Sequence, residues 1–137
     1  MKYPTEHMTI SGKEYPIRCE DDLQIHFVSQ FKKTWPMYRR LIHHSPNEKG
    51  SGTPTGKKDG AKARNMGTQK GWPDIEIMVD PPLFIELKFG DEPVSQDQLE
   101  VIEALRMAGH RAVVCRSYAQ AWDVTTEHMQ QALGRDV

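Results

Sequence analysis

The 137-residue chain has few of the features that lead away from an ordinary folded domain. It has no apolar run near the ~20 residues that a membrane-spanning helix needs. Its opening, "MKYPTEHMTI", has no apolar core and so does not read as a secretory signal. Cysteine is scarce. Cys19 and Cys115 are too few for a disulfide framework or a zinc cluster, and the expectation is one buried thiol each in a reducing compartment. Internal repeats and a second domain are both missing, so the expectation is one domain over residues 1–137. These absences predict a soluble, cytoplasmic protein.

Net charge is also almost missing, at −1, but the balance is not local. Residues 1–31 carry net −2, residues 32–70 carry ten basic and two acidic side chains for net +8, and residues 71–137 carry net −7. A middle segment this basic suits a polyanion such as nucleic acid, and equally suits a solvated face balanced by the acidic third.

Apolar spacing sketches the elements. In "EDDLQIHFVSQFKKTW", Leu23, Phe27, Val28 and Phe31 recur at helical intervals, with acids at the front, lysines at the back and Pro36 as the stop. "MYRRLIHH" offers weak strand character, and "MTI" a short strand in an otherwise irregular start. Residues 45–60 are rich in Gly, Pro, Ser and Thr and read as a long mobile basic loop, followed by a short basic helix ended by Gly67. Two strands, 73–79 and 83–88, flank "DPP". A helix opens at Ser95, lines Leu99, Ile102, Leu105 and Ala108 along one face, and ends at Gly109. "RAVVCRS" is a strand, and a last helix runs to Gly134. The strand–helix–strand run points to a parallel crossover in a mixed sheet, hence an α/β class with helices flanking a mixed β-sheet.

The segment "GWPDIEIMVDPPLFIELK" at 71–88 carries most of the chemistry. Its odd positions are apolar from Ile75 to Leu87 and must face a core, while Asp74, Glu76, Glu86 and Lys88 share the other face. A three-residue turn would set Val79 against Leu83, Glu76 against Glu86 and Asp74 against Lys88. One reading is an amphipathic hairpin with a wet polar face. The other is a cation site, because like charges placed opposite each other destabilise a sheet and one lysine cannot neutralise three acids. Hard divalent ions take oxygen ligands, and Asp74 and Glu86 with the Leu87 carbonyl suit that role. Lys88 lies on the same face, within reach of a phosphate or an attacking water.

Pro73-Asp74, eleven residues, then Glu86-Leu87-Lys88 resembles the PD-(D/E)xK nuclease signature. The ordered series "EDDLQ" (20–24), "PNEKG" (46–50), "GWPD" (71–74), "FIELK" (84–88), "SQDQ" (95–98) and "AGHRAVVCRS" (108–117) resembles the virus-type replication-repair nuclease (VRR-NUC) domain in its stand-alone, phage-like form, over about residues 19–125. The resemblance implies a restriction-endonuclease-like core and Mg²⁺- or Mn²⁺-dependent hydrolysis of DNA phosphodiesters. It implies Asp74, Glu86, the Leu87 carbonyl and Glu20 as metal ligands, Lys88 as catalytic lysine, and Gln98 near the same site. It further implies branched or Holliday junction DNA as substrate, a homodimer, and a bacterial cell as the setting. Asp21 and Asp22 crowd Glu20, so any of the three acids can be the one that approaches the metal. Flap or end trimming, sequence-specific cleavage, and DNA binding without turnover remain as alternatives.

Other candidates are weighed against plainer roles. Ser95 and Gln98 have the spacing of a capping box, which is compatible with Gln98 also facing the site. "GSGTPTGKK" breaks the phosphate-loop pattern, because five residues separate Gly50 from Gly56 and Lys57 is followed by Lys58. His43 and His44 with Asn47 lack a nearby third histidine for a histidine–metal site. Trp35, Trp72 and Trp122 read as packing residues, with Trp72 set apart by its closeness to Asp74. Lys57, Lys58, Lys62, Arg64, Lys70, Arg39 and Arg40, together with Lys32 and Lys33, are the candidates for gripping DNA phosphates.

Overall fold

The computed structural model describes residues 5–46, 61–62 and 64–134. Lys57, Lys58, Asn47 and most of the Gly-rich 45–60 stretch lie outside the described residues. No helix among the described residues is long and apolar enough to cross a membrane.

A hairpin opens the chain, with strands His7–Ile10 (β1) and Lys13–Pro16 (β2) paired Ile10 to Lys13. The apolar pattern marked only "MTI". The turn makes the second strand, because Ser11 (φ 51) and Gly12 (φ 80) both take the left-handed geometry of a two-residue hairpin loop. Helix α1, Glu20–Thr34, carries its three acids in the first turn and its two lysines in the last, and buries Leu23, Phe27 and Phe31. Pro36 then starts a single 3₁₀ turn, Pro36–Tyr38, so "MYRRLIHH" contributes only the three-residue strand β3, Ile42–His44.

Strands β4 (Ile75–Ile77), β5 (Leu83–Leu87) and β6 (Arg111–Cys115) complete a four-stranded sheet in the order β3-β4-β5-β6. β3–β4 and β4–β5 are antiparallel, and β5–β6 is parallel. The crossover between β5 and β6 is helix α2, Gln96–Met107, and helix α3, Tyr118–Gly134, follows. The mixed sheet flanked by helices is the α/β class expected from the strand–helix–strand run.

β5 explains how the layers stack. All five of its residues are buried. Leu83, Ile85 and Leu87 face a core shared with Phe27, Phe31 and Met129 of α1 and α3, while Phe84 packs on the opposite side with Val101, Ile102 and Leu105 of α2. The polar face of the hairpin is therefore not a wet surface, because α2 covers it. Where α2 differs from expectation, the cause is the same contact. Val101, Ile102 and Leu105 are the buried set, while Leu99 is 48% exposed and Ala108 is exposed, so the helix is rotated toward Phe84.

The hairpin register also differs. Ile77 faces Leu83, Ile75 faces Ile85 and Glu76 faces Phe84, so the connection spans residues 78–82 rather than three residues. Glu76 does not meet Glu86, Asp74 does not pair with Lys88, and Met78 is exposed. The strand at 73–79 shortens to Ile75–Ile77. Cys19 is exposed rather than buried, whereas Cys115 is buried and its thiol is pushed up to about 12 by desolvation.

Helix α3 begins on a carboxylate from far away in sequence. The Glu6 side chain accepts hydrogen bonds from the backbone N–H groups of Tyr118 (2.6 Å) and Ala119 (2.9 Å), two donors that the helix itself cannot satisfy. The same contact ties the β1–β2 hairpin to the main body. Glu6→Ala is expected to cost about 1–2 kcal/mol of folding stability, in the range of a lost helix cap. The check is a lower urea midpoint at unchanged slope.

Candidate active site

β4, β5 and α1 deliver three carboxylates to one point. Asp74 precedes β4 and is 4% exposed, Glu86 lies within β5 and is 1% exposed, and Glu20 opens α1. One oxygen from each of the three lies within 4.8 Å of the others. The observed register accounts for this closeness, since extending it one residue beyond Ile75–Ile85 brings Asp74 across from Glu86. The backbone pins Asp74 from both sides. Its Oδ2 accepts from Leu87 N at 2.8 Å, while its carbonyl accepts from Ser45 N at 2.9 Å and from His44 Nδ1 at 3.1 Å.

Lys88 and Gln98 converge on Glu86. The Lys88 ammonium is 3.6 Å from Glu86 Oε2, and Lys88 is 7% exposed. Gln98 Nε2 donates to the same oxygen at 3.1 Å. Gln98 holds this position while serving the capping box. Its backbone N–H donates to Ser95 Oγ at 3.1 Å, and its Oε1 accepts from Ser95 N at 2.9 Å. Gly71 sets the opposite wall. At φ +85 its backbone approaches the first turn of α2 so closely that a Cβ would sit 2.5 Å from the Asp97 carbonyl carbon.

The electrostatics of the cluster favour a positive occupant. Burial, and then the Asp74 carboxylate beside it, push the Glu86 carboxyl up to about 9, with Lys88 opposing the shift. Burial, Asp74 and a hydrogen bond with Glu92 push Glu20 up to about 7. Three acids and one ammonium in a mostly buried space must take up protons or a cation. Among the described residues, Glu86 Oε1 is buried and has no hydrogen-bond partner. An all-oxygen donor set with one unsatisfied buried oxygen fits a hard divalent cation.

Two contributors carry no sequence signal. Glu92 lies in the loop after Lys88, where no periodicity marks it, and it reaches the Glu20 carboxyl. Arg116 holds that loop by donating from Nη1 to the carbonyls of Gly90 (2.9 Å) and Glu92 (2.7 Å). His44 supports the Asp74 backbone rather than joining a histidine–metal site.

A solved structure named "VRR_NUC domain protein" superposes on this chain with a TM-score of 0.70 at 26% identity, covering 83% of this chain and 90% of that one. The fold is that of a VRR-NUC domain. No family model matches the sequence, and no curated protein matches it. The VRR-NUC likeness places the chain among nuclease domains, with an acidic cluster compatible with a divalent metal.

Around this VRR-NUC core, the phosphate-gripping candidates occupy different places. Lys62, Arg64 and Lys70 are exposed on the segment leading into Gly71, and Lys70 pairs with Asp97 at 3.4 Å. Arg39 and Arg40 are exposed before β3, at the opposite end of that strand from the His44–Asp74 contact. Trp35 and Trp122 pack on each other at 5.4 Å beside the α1–α3 core, while Trp72 packs edge-on against Phe84.

Proposed function

We propose that this chain is a Mg²⁺- or Mn²⁺-dependent, structure-selective DNA endonuclease that cuts branched DNA such as four-way junctions and acts as a homodimer. The observation that carries the reading is the convergence of Glu20, Asp74 and Glu86 beside Lys88 within a nuclease-domain fold.

Asp74, Glu86, the Leu87 carbonyl and Glu20 would hold the ion. When bound, a divalent ion lowers the pKa of its water and offsets charge on the phosphate. Lys88 orients the attacking water and stabilises charge developing on the phosphate oxygens. Gln98 fixes the Glu86 carboxylate through Oε2, which limits the rotamers that Glu86 can take. The exposed Lys62, Arg64, Lys70, Arg39 and Arg40, with Lys57 and Lys58, hold backbone phosphates, which positions the duplex without reading sequence. A homodimer brings two such sites to one junction and suits paired cuts.

The test is a cleavage panel of junction, flap, nicked, duplex and single-stranded DNA, each with Mg²⁺, Mn²⁺ or EDTA. The expected result is junction cutting with either metal and none in EDTA, with binding that weakens steeply as salt rises. A preference for flaps would overturn the substrate assignment. Absence of cutting on every substrate, with no metal uptake by calorimetry, would overturn the nuclease reading.

A further inference from the structure

Beside the acidic cluster lies a second concavity of about 310 Å³, between Gln69 and Trp72 on one side and α2 on the other. Trp72 forms one wall, Val101 and Leu105 form the floor, and Asp97 and Glu100 stand at the rim. We propose that this pocket receives one unpaired nucleobase of the nucleotide adjoining the cut, stacked on the Trp72 indole. The proposal rests on the nuclease reading above and adds a base-capture subsite to it.

Trp72 is a prepared platform. Its Nε1 donates to Glu76 Oε1 at 2.6 Å, and its ring meets Phe84 edge-to-face at 5.8 Å and 90°. Both contacts fix the ring plane before any ligand arrives, which limits the ordering cost of stacking. Aromatic side chains capture splayed bases in this manner, whatever the base identity.

The rim chemistry selects a base over a phosphate. Asp97 and Glu100 repel an anion but accept hydrogen bonds from exocyclic amino groups, such as N6 of adenine or N4 of cytosine. Lys70 pairs with Asp97 at 3.4 Å and sits at the same rim, where it can meet the neighbouring phosphate.

The location ties the pocket to the chemistry. Trp72 precedes Asp74 by two residues, roughly 7 Å of extended chain. Asp97 at the rim adjoins Gln98, whose side chain holds Glu86. The close packing of Gly71 on Asp97 and Gln98 fixes the spacing between the two cavities. A base seated here belongs to a nucleotide next to the scissile phosphate. A base inside a continuous duplex would have to give up its pair and two stacking neighbours to fill the pocket, whereas a base at a strand end or beside a branch point is less firmly stacked and costs less to extrude. Base capture thereby contributes to structure selectivity.

The experiment places 2-aminopurine singly at each nucleotide around the cut in junction DNA. Fluorescence is read on binding with Ca²⁺ in place of Mg²⁺, and cleavage is read in parallel with Mg²⁺. One position is expected to show quenching. Trp72→Ala and Ala104→Trp should both abolish the quenching, and Trp72→Phe should retain part of it. Ala104 is exposed on α2 and lines the pocket, so Ala104→Trp fills the cavity while Trp72 keeps its contacts with Glu76 and Phe84, and the variant should melt like the wild type. An abasic nucleotide at the quenched position should raise KM roughly tenfold in the wild type and leave it unchanged in Trp72→Ala. Quenching at no position, or quenching that survives Ala104→Trp, would overturn the subsite. If the wild type cuts but shows no quenching, the subsite alone fails. If quenching occurs without cutting under Mg²⁺ or Mn²⁺, the nuclease reading fails and the base pocket stands.

Discussion

Lys88→Ala is expected to lower the single-turnover rate of DNA cleavage by about 10²–10³-fold or more, while branched-DNA affinity stays within about threefold. The size of the effect follows from where the ammonium lies. Lys88 is almost fully buried, two residues beyond Glu86 on the same face of the chain, and its Nζ is 3.6 Å from Glu86 Oε2. A fixed donor in a space that excludes water is worth far more to developing charge than one in solvent. Affinity is spared because the groups that would hold DNA are exposed and lie elsewhere, at Lys62, Arg64, Lys70, Arg39 and Arg40. The fold should tolerate the change. Lys88 opposes the upward shift of both Glu86 and Glu20, so its loss raises both further and the carboxyls stay protonated rather than charged and unpaired. The checks are quench-flow rates and fluorescence anisotropy, with circular dichroism confirming the fold and Lys88→Met as a control that keeps the side-chain volume. Wild-type cutting by a folded Lys88→Ala variant would remove the lysine from the mechanism.

The parts of this protein legible in the sequence are those with a period. Leu23, Phe27 and Phe31 recur at helical spacing and face the core, and the odd residues from Ile75 to Leu87 alternate as a strand must. The capping box at Ser95 and Gln98 is a local pattern with a local cause, and the structure contains it. The hairpin register was not legible, because "DPP" does not by itself set the loop length. The observed pairing differs from a three-residue turn by two positions on β5. A shift of two keeps every side chain on its face. The core assignment therefore holds, while the cross-strand partners change. Glu76 leaves Glu86 for Phe84 and Trp72, and Asp74 comes across from Glu86. The rotation of α2 was hidden for a similar reason, since Val101 and Leu99 are equally apolar and only the contact with Phe84 chooses between them. Glu92, His44 and Arg116 reach the site from loops and strand ends, where residue spacing carries no information about direction.

Glu86→Gln is expected to abolish the stabilisation that Mg²⁺ or Mn²⁺ confers, yet to leave the metal-free protein at least as stable as the wild type above neutral pH. The sign follows from the shifts. Glu86 is raised from 4.5 to about 9 and Glu20 from 4.5 to about 7 in the folded, metal-free chain. A group raised in this way favours the folded state fully below its unfolded value, and that contribution is lost as pH climbs toward the folded value. The metal-free wild type should therefore lose stability between about pH 5 and pH 9, first through both groups and then through Glu86 alone. A divalent ion takes the place of the protons, so its stabilising effect should grow over the same interval. At saturating metal, near a hundred times the dissociation constant, that effect is about 2.7 kcal/mol, or roughly 10 °C in melting temperature. Glutamine keeps the shape of the protonated acid and its hydrogen-bonding capacity toward Gln98, but its neutral amide is a poor ligand for a hard cation. Thermal melts at about pH 6 and about pH 8.5, with and without metal, separate the effects. The wild type should show a metal shift that is larger at the higher pH, and Glu86→Gln should show no metal shift and a smaller pH response, the remainder coming from Glu20. A metal shift of equal size in both proteins would mean that the ion binds elsewhere, and the carboxylate cluster would lose its assigned role.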